Sequence, residues 1–111
     1  MQRVGTIATI AALAIASGLP AAAAAQNVSA GSYECWFFSR ARLDLNFRIV
    51  DGKTFTDSEG KQGTYSVADG VITFQGGALD GEKAHYLIEK GRPKASFRNG
   101  QGREISFCEK V

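Results

Sequence analysis

The chain has 111 residues, thirteen lysines and arginines against eleven acids, and 44% hydrophobic residues, for a formal net charge of +2. That length allows one ordinary domain behind a leader and excludes two, and a balance so near neutral advertises no nucleic-acid partner. Two cysteines and a single histidine leave too few ligands for the common metal-binding spacings.

Met1 to Arg3 is a short basic head, Val4 to Leu19 is almost unbroken apolar sequence, and Pro20 leads into alanines that end at Ala25. This is the pattern of a secretory signal peptide, 1–25, with cleavage expected after Ala25. The apolar run falls short of the ~20 residues of a spanning helix, so no membrane span is expected. No cysteine stands near the cleavage point to carry a lipid. The expected destination is periplasmic or secreted.

Residues 26–30 are small and polar and read as a flexible N-terminus, ahead of a single domain at 31–111. Ser32 to Phe38 reads as a first strand, and Ser39-Arg40-Ala41-Arg42 as its connection to a second. Leu43 to Val50 alternates, with Leu43, Leu45, Phe47 and Ile49 on one face and Asp44, Asn46 and Arg48 on the other. From there Xaa-Gly turns recur at Asp51-Gly52, Glu59-Gly60, Asp69-Gly70, Asp80-Gly81, Lys90-Gly91 and Asn99-Gly100. Asp69-Gly70, between β-branched and aromatic runs, is a strong hairpin signal, because a two-residue turn needs positive φ. Strands are expected near Lys53–Asp57, Gly63–Val67, Val71–Gln75, Lys83–Glu89, Pro93–Arg98 and Arg103–Glu109. Gly76-Gly77 reads as a bulge or bend.

The expected inward set is Leu43, Leu45, Phe47, Ile49, Phe55, Tyr65, Val67, Ile72, Phe74, Ala84, Tyr86, Ile88, Ala95, Phe97, Ile105 and Phe107. Eight short strands with one apolar face each can close on themselves and so remove their edges. The fold class is therefore all-β, an antiparallel up-and-down meander closing as an eight-stranded barrel, with a two-sheet β-sandwich as the alternative. Cys35 and Cys108 form an even pair in an exported chain and are expected to be disulfide-bonded. A bond between the first and last strands requires them to be neighbours, which favours the barrel.

Three stretches, Gly31-x-Tyr33-x-Cys35, Gly63-x-Tyr65-x-Val67 and Ile72-x-Phe74-x-x-Gly77-x-Leu79-x-Gly81, resemble a pattern in small exported bacterial β-proteins without assigned activity. In size and single disulfide the chain also resembles periplasmic metalloprotease inhibitors built as eight-stranded barrels. The first resemblance implies an exported β-domain and no functional residues. The second implies an inhibitor-like role, on architecture alone.

No catalytic motif is present, His85 has no sequence-identifiable nucleophile beside it, and Asp51, Asp69 and Asp80 are accounted for by turn chemistry. No catalytic residue, cofactor or metal is assigned, and the chain is read as non-enzymatic. If Cys108 shares a face with Ser106, opposite Ile105 and Phe107, then Cys35 points outward too. Trp36 and Phe38 would enter the core, and Tyr33 and Phe37 would lie on the outer wall as a contact pair. A bulge near Cys108, or a tail folded over Phe37, is the other reading. Residues 51–89 carry seven acids against three lysines, whereas the rest of the chain after residue 25 carries nine bases against four acids. In a closed barrel those bases gather on one side, with Arg40, Arg42, Arg48 and Arg98 as leading contacts for a protein or an anionic envelope component. The functional expectation is an exported binding module facing a macromolecular partner. The alternative is a carrier of a small hydrophobic ligand in the barrel interior.

Overall fold

The computed structural model describes residues 27–111; the expected signal peptide at 1–25, and Gln26, lie outside the described residues. The strands are β1 (Gly31–Phe37), β2 (Arg40–Ala41), β3 (Phe47–Ile49), β4 (Thr54–Thr56), β5 (Gln62–Ala68), β6 (Val71–Gln75), β7 (Lys83–Glu89), β8 (Arg92–Arg98) and β9 (Glu104–Lys110). Two 3-10 turns, Leu43–Leu45 and Gly77–Leu79, join them, and the described residues contain no α-helix. Each strand from β3 to β9 pairs antiparallel with the next; β3 also pairs with β1, and β9 returns to β1. The result is a closed eight-stranded antiparallel barrel, with β2 as a short extra strand on the far end of β1.

The turns follow their residues. Asp69 and Gly70 take φ of 53° and 76°, and Lys90 and Gly91 take 54° and 79°, so both hairpins carry positive φ at both central positions. Gly63 is required for a different reason: a Cβ there would stand 2.6 Å from both the Gln75 carbonyl oxygen and the Phe55 ring.

Inside, Phe74 is the hub. Its ring meets Phe47 at 5.3 Å, Phe55 at 5.0 Å and Phe97 at 6.4 Å, and Phe47 stacks on Tyr33 at 4.9 Å. Edge-to-face and offset pairs of this kind add to simple area burial. The disulfide lies in the same interior. Cys35 and Cys108 face each other across β1 and β9 with Cα atoms 3.9 Å apart, and both are buried.

Both ends of the barrel are covered. At the end where β1 finishes, here the upper end, the turn Gly77–Leu79 buries Leu79, and Leu45 packs partly against the core. Asp57, a buried carboxylate, ties the upper loops together by accepting from the backbone N–H of Glu59, Lys61 and Ala78 at 2.9, 2.8 and 2.7 Å. Burial pushes this carboxyl up, but the three donors outweigh it and hold it below the ordinary range. Ser58 Oγ donates to the Asp44 carbonyl at 3.0 Å and ties that loop to the turn Leu43–Leu45. At the lower end Val28 is buried. Ser29 accepts from the Tyr33 hydroxyl at 2.7 Å and from Lys110 Nζ at 2.8 Å, and its N–H donates to the Tyr86 hydroxyl at 3.0 Å. These contacts place Val28 and Ser29 against the lower end of the barrel.

Several inward assignments are corrected. The ladder of β9 on β8 slips between Glu104 and Ser106, so Ile105 is an extra, bulged residue. That shift turns Ser106 and Cys108 inward and Phe107 outward, and leaves Ile105 40% exposed. Tyr33 and Cys35 follow inward, which places Trp36 on the outer face, opposite Phe107. Phe38 lies outside the core entirely. Leu43 to Val50 is not one strand: the 3-10 turn interrupts it, Leu43 is exposed, and Asn46 Oδ1 accepts from the Cys35 N–H at 2.8 Å where the ladder breaks. Ile88, at the lower rim opposite Pro93, is exposed as well.

Candidate functional site

The β1–β2 hairpin is built differently from the others. Phe37 pairs with Arg40, so Phe38 and Ser39 are its two turn residues, and no glycine is present. Phe38 therefore holds the positive φ itself, at 56°, a conformation that disfavours a bulky side chain. Its ring is 70% exposed and meets Phe37 edge-on at 4.6 Å. Leu43, just past the hairpin, is also 70% exposed. The upper end thus presents Phe37, Phe38 and Leu43 together, and exposed Ile105 lies on the neighbouring strand β9, beyond the point where Phe107 faces Trp36.

Two arginines stand behind this apex. Arg42 Nε and Nη2 donate to the two carboxylate oxygens of Asp44 at 2.9 and 2.8 Å, a bidentate pair. The Arg42 hydrogen bond holds the Asp44 carboxyl below its ordinary value and keeps the guanidinium firmly charged. Arg42 also lies 5.9 Å from the Phe37 ring centroid, within cation–π range. Its backbone N–H donates to the Cys35 carbonyl at 2.8 Å, anchoring the hairpin base beside the disulfide. Arg40 is exposed and makes no ion pair among the described residues.

The other expected contacts are not gathered here. Tyr33 is in the interior, not on the wall. Arg48 lies low on the outer face of β3, opposite Ser32, and donates to the Ser32 hydroxyl at 3.3 Å. Arg98, on the outer face of β8, donates to Ser96 Oγ at 3.2 Å. The wall around it is not a continuous basic face, because acids are interleaved. Lys94 Nζ lies 3.0 Å from Glu89 Oε1, 3.2 Å from Glu104 Oε1 and 4.8 Å from the Phe107 ring centroid. Burial works against its charge, but the two carboxylates outweigh this and raise it above the ordinary lysine value. Ser96, almost fully buried, donates to Glu104 at 2.6 Å, and Arg92 pairs with Glu109 at 3.7 Å.

Of the sequence-expected contacts, Phe37, Arg40 and Arg42 converge, while Tyr33, Arg48 and Arg98 do not. Sequence reasoning missed Phe38 and Leu43, which it placed inside. The signal that could have found Phe38 is the absence of glycine in a two-residue turn.

Among the open hollows on the outer surface, one of ≈ 370 Å³ lies among Glu89, Lys90, Arg92 and Glu109, and another of ≈ 220 Å³ is lined in part by Glu34, Asn46, Arg48 and Ser58. Among the described residues no cluster of three or more histidine, cysteine or acidic side chains could hold a metal ion. No helix among them is long and apolar enough to cross a membrane. Comparison with protein-family models, curated proteins and solved structures finds no match.

Proposed function

We propose that the protein is a non-enzymatic exported binding module that contacts a macromolecular partner end-on, through the hairpin from Trp36 to Leu43. The observation that carries this reading is Phe38. A phenylalanine in a left-handed turn costs of order 1 kcal/mol that glycine would avoid, and it gives no core packing in return. Such strain concentrates where a side chain is displayed for contact. Export is supported by the signal-like first 25 residues and by the disulfide, which persists in oxidising compartments. Against the carrier alternative stand the aromatic cluster around Phe74 and the loops covering both ends, since a drug-sized ligand needs a cavity of ~300 Å³ or more.

A photo-crosslinking residue at position 38, in producing cells, tests the reading against the same residue at position 88, exposed at the opposite rim. A discrete adduct from 38, to protein or lipid, and none from 88 is the expected outcome. Equal labelling at both positions, or none at either, would remove the hairpin as the contact surface.

A further inference from the structure

Resting on that contact role, we propose that the partner is an anionic membrane surface. The hairpin tip enters it at headgroup depth, Phe38 and Leu43 leading and Arg40 meeting the lipid phosphates.

At the apex the exposed Phe37, Phe38 and Leu43 surround a single short hydroxyl, Ser39, so apolar contact outweighs directional recognition. The exposed apolar area there comes from a few side chains. A standard protein interface takes about 800 Å² from each partner with matched shapes, whereas a fluid interface demands no shape match. Behind the apex come the cations. Arg42 is neutralised locally by Asp44, but Arg40 has no such partner among the described residues, so the hairpin from Trp36 to Asn46 keeps one net positive charge. Guanidinium groups on apolar stems, set just behind aromatic rings, suit the boundary between acyl chains and phosphates. Trp36 follows, half-buried on the outer wall opposite Phe107, a residue type that favours the interface between headgroups and acyl chains.

The rest of the surface restricts the approach. Glu34, Glu104 and Glu109 lie on the outer faces of β1 and β9, and Asp80 and Glu82 follow the turn Gly77–Leu79. Lys94 bridges Glu89 and Glu104, and Arg92 pairs with Glu109, so the side wall is balanced in charge and does not itself draw an anionic surface; the hairpin corner leads. Contact through one hairpin tip with so few exposed apolar side chains is peripheral and reversible.

Trp36 is the chain's only tryptophan and reports the event directly. The disulfide-bonded protein is mixed with vesicles of phosphatidylglycerol and phosphatidylcholine in equal parts, and with phosphatidylcholine alone. Expected with the anionic vesicles are co-sedimentation, a blue shift of Trp36 emission, quenching by lipids brominated near the headgroup, and weakening as salt rises. The double variant Phe38→Gly, Leu43→Ser should bind at least roughly ten-fold more weakly, and Arg40→Glu should lose the preference for anionic lipid. The melting temperature of each variant guards against misfolding. Failure to bind anionic vesicles, equal binding to both lipid mixtures, or undiminished binding by the double variant would each overturn the proposal. A protein adduct from position 38 without vesicle binding would overturn the lipid surface and leave the contact role standing. Equal labelling at 38 and 88 would remove the contact role itself.

Discussion

Phe38 and Asp57 show two opposite uses of a single residue. Phe38 holds an unfavourable backbone conformation and contributes almost no burial, so Phe38→Gly should stabilise the fold by about 1 kcal/mol while weakening any contact made by the tip. Denaturant melts check the first half, and a loss of stability would show that the Phe37–Phe38 contact outweighs the strain. Asp57 is instead a structural anion. Its carboxyl is held lower in the folded chain than in the unfolded one, as are those of Asp44 and Asp51. Folding therefore releases protons at these sites, and their contribution is complete above the ordinary carboxylate value near 4. It is lost as pH falls through the depressed folded values. Asp57→Asn would turn an amide donor toward one of the three N–H groups that the carboxylate now accepts. The variant should melt lower than the parent at neutral pH, and the gap should close as pH falls through the depressed folded value. A gap that persists in acid would mean that packing, not charge, is at work.

Among the elements, the hairpin of β5 and β6 was legible in full. Asp-Gly between alternating runs predicts its turn, and the strand bounds agree within a residue. The face of β9 was not legible, because Ile105 with Phe107 and Ser106 with Cys108 are equally good period-2 sets, and one bulged residue decides between them. Parity then propagated: the wrong face for Cys108 carried Cys35, Tyr33, Trp36 and Phe38 with it. The alternation from Leu43 misled for a related reason, since two leucines two apart fit a strand or a 3-10 turn equally well. The bulge also yields a prediction. Because Glu104 faces Arg98 and Ser106 faces Phe97, deleting Ile105 should leave a regular ladder with Cys108 still inward. That deletion should keep the disulfide and melt within several degrees of the parent. Deleting Phe107 should instead swing Cys108 outward and leave free thiols, which a thiol titration would count. Free thiols in the Ile105 deletion would mean that the bulge itself is needed for closure.

For the whole molecule, the disulfide and the covered ends matter most. The bond closes a loop spanning 73 positions, which in a chain-entropy view is worth about 4 kcal/mol. For a small domain near the usual stability range that is a large share, so reduction should lower the melting temperature by well over ten degrees. A small change would show that the aromatic core and the β1–β9 ladder suffice alone. Both cysteines are buried, so the reductant should act mainly on opened molecules and its effect should grow with temperature.

Because that bond joins the first long strand to the last, it also governs how the molecule bears tension. Pulled between Asn27 and Val111, the chain transmits load through Cys35 and Cys108, and everything between them, the displayed hairpin included, stays slack. In a single-molecule pulling experiment the oxidised protein should therefore lengthen only by the short stretches outside the bond. The reduced protein should yield a further step of roughly 250 Å, the reach of the 73 positions otherwise held behind it. A protein that grips a surface by its far end while pulled from the other would keep that grip intact until its sulfur–sulfur bond is cut.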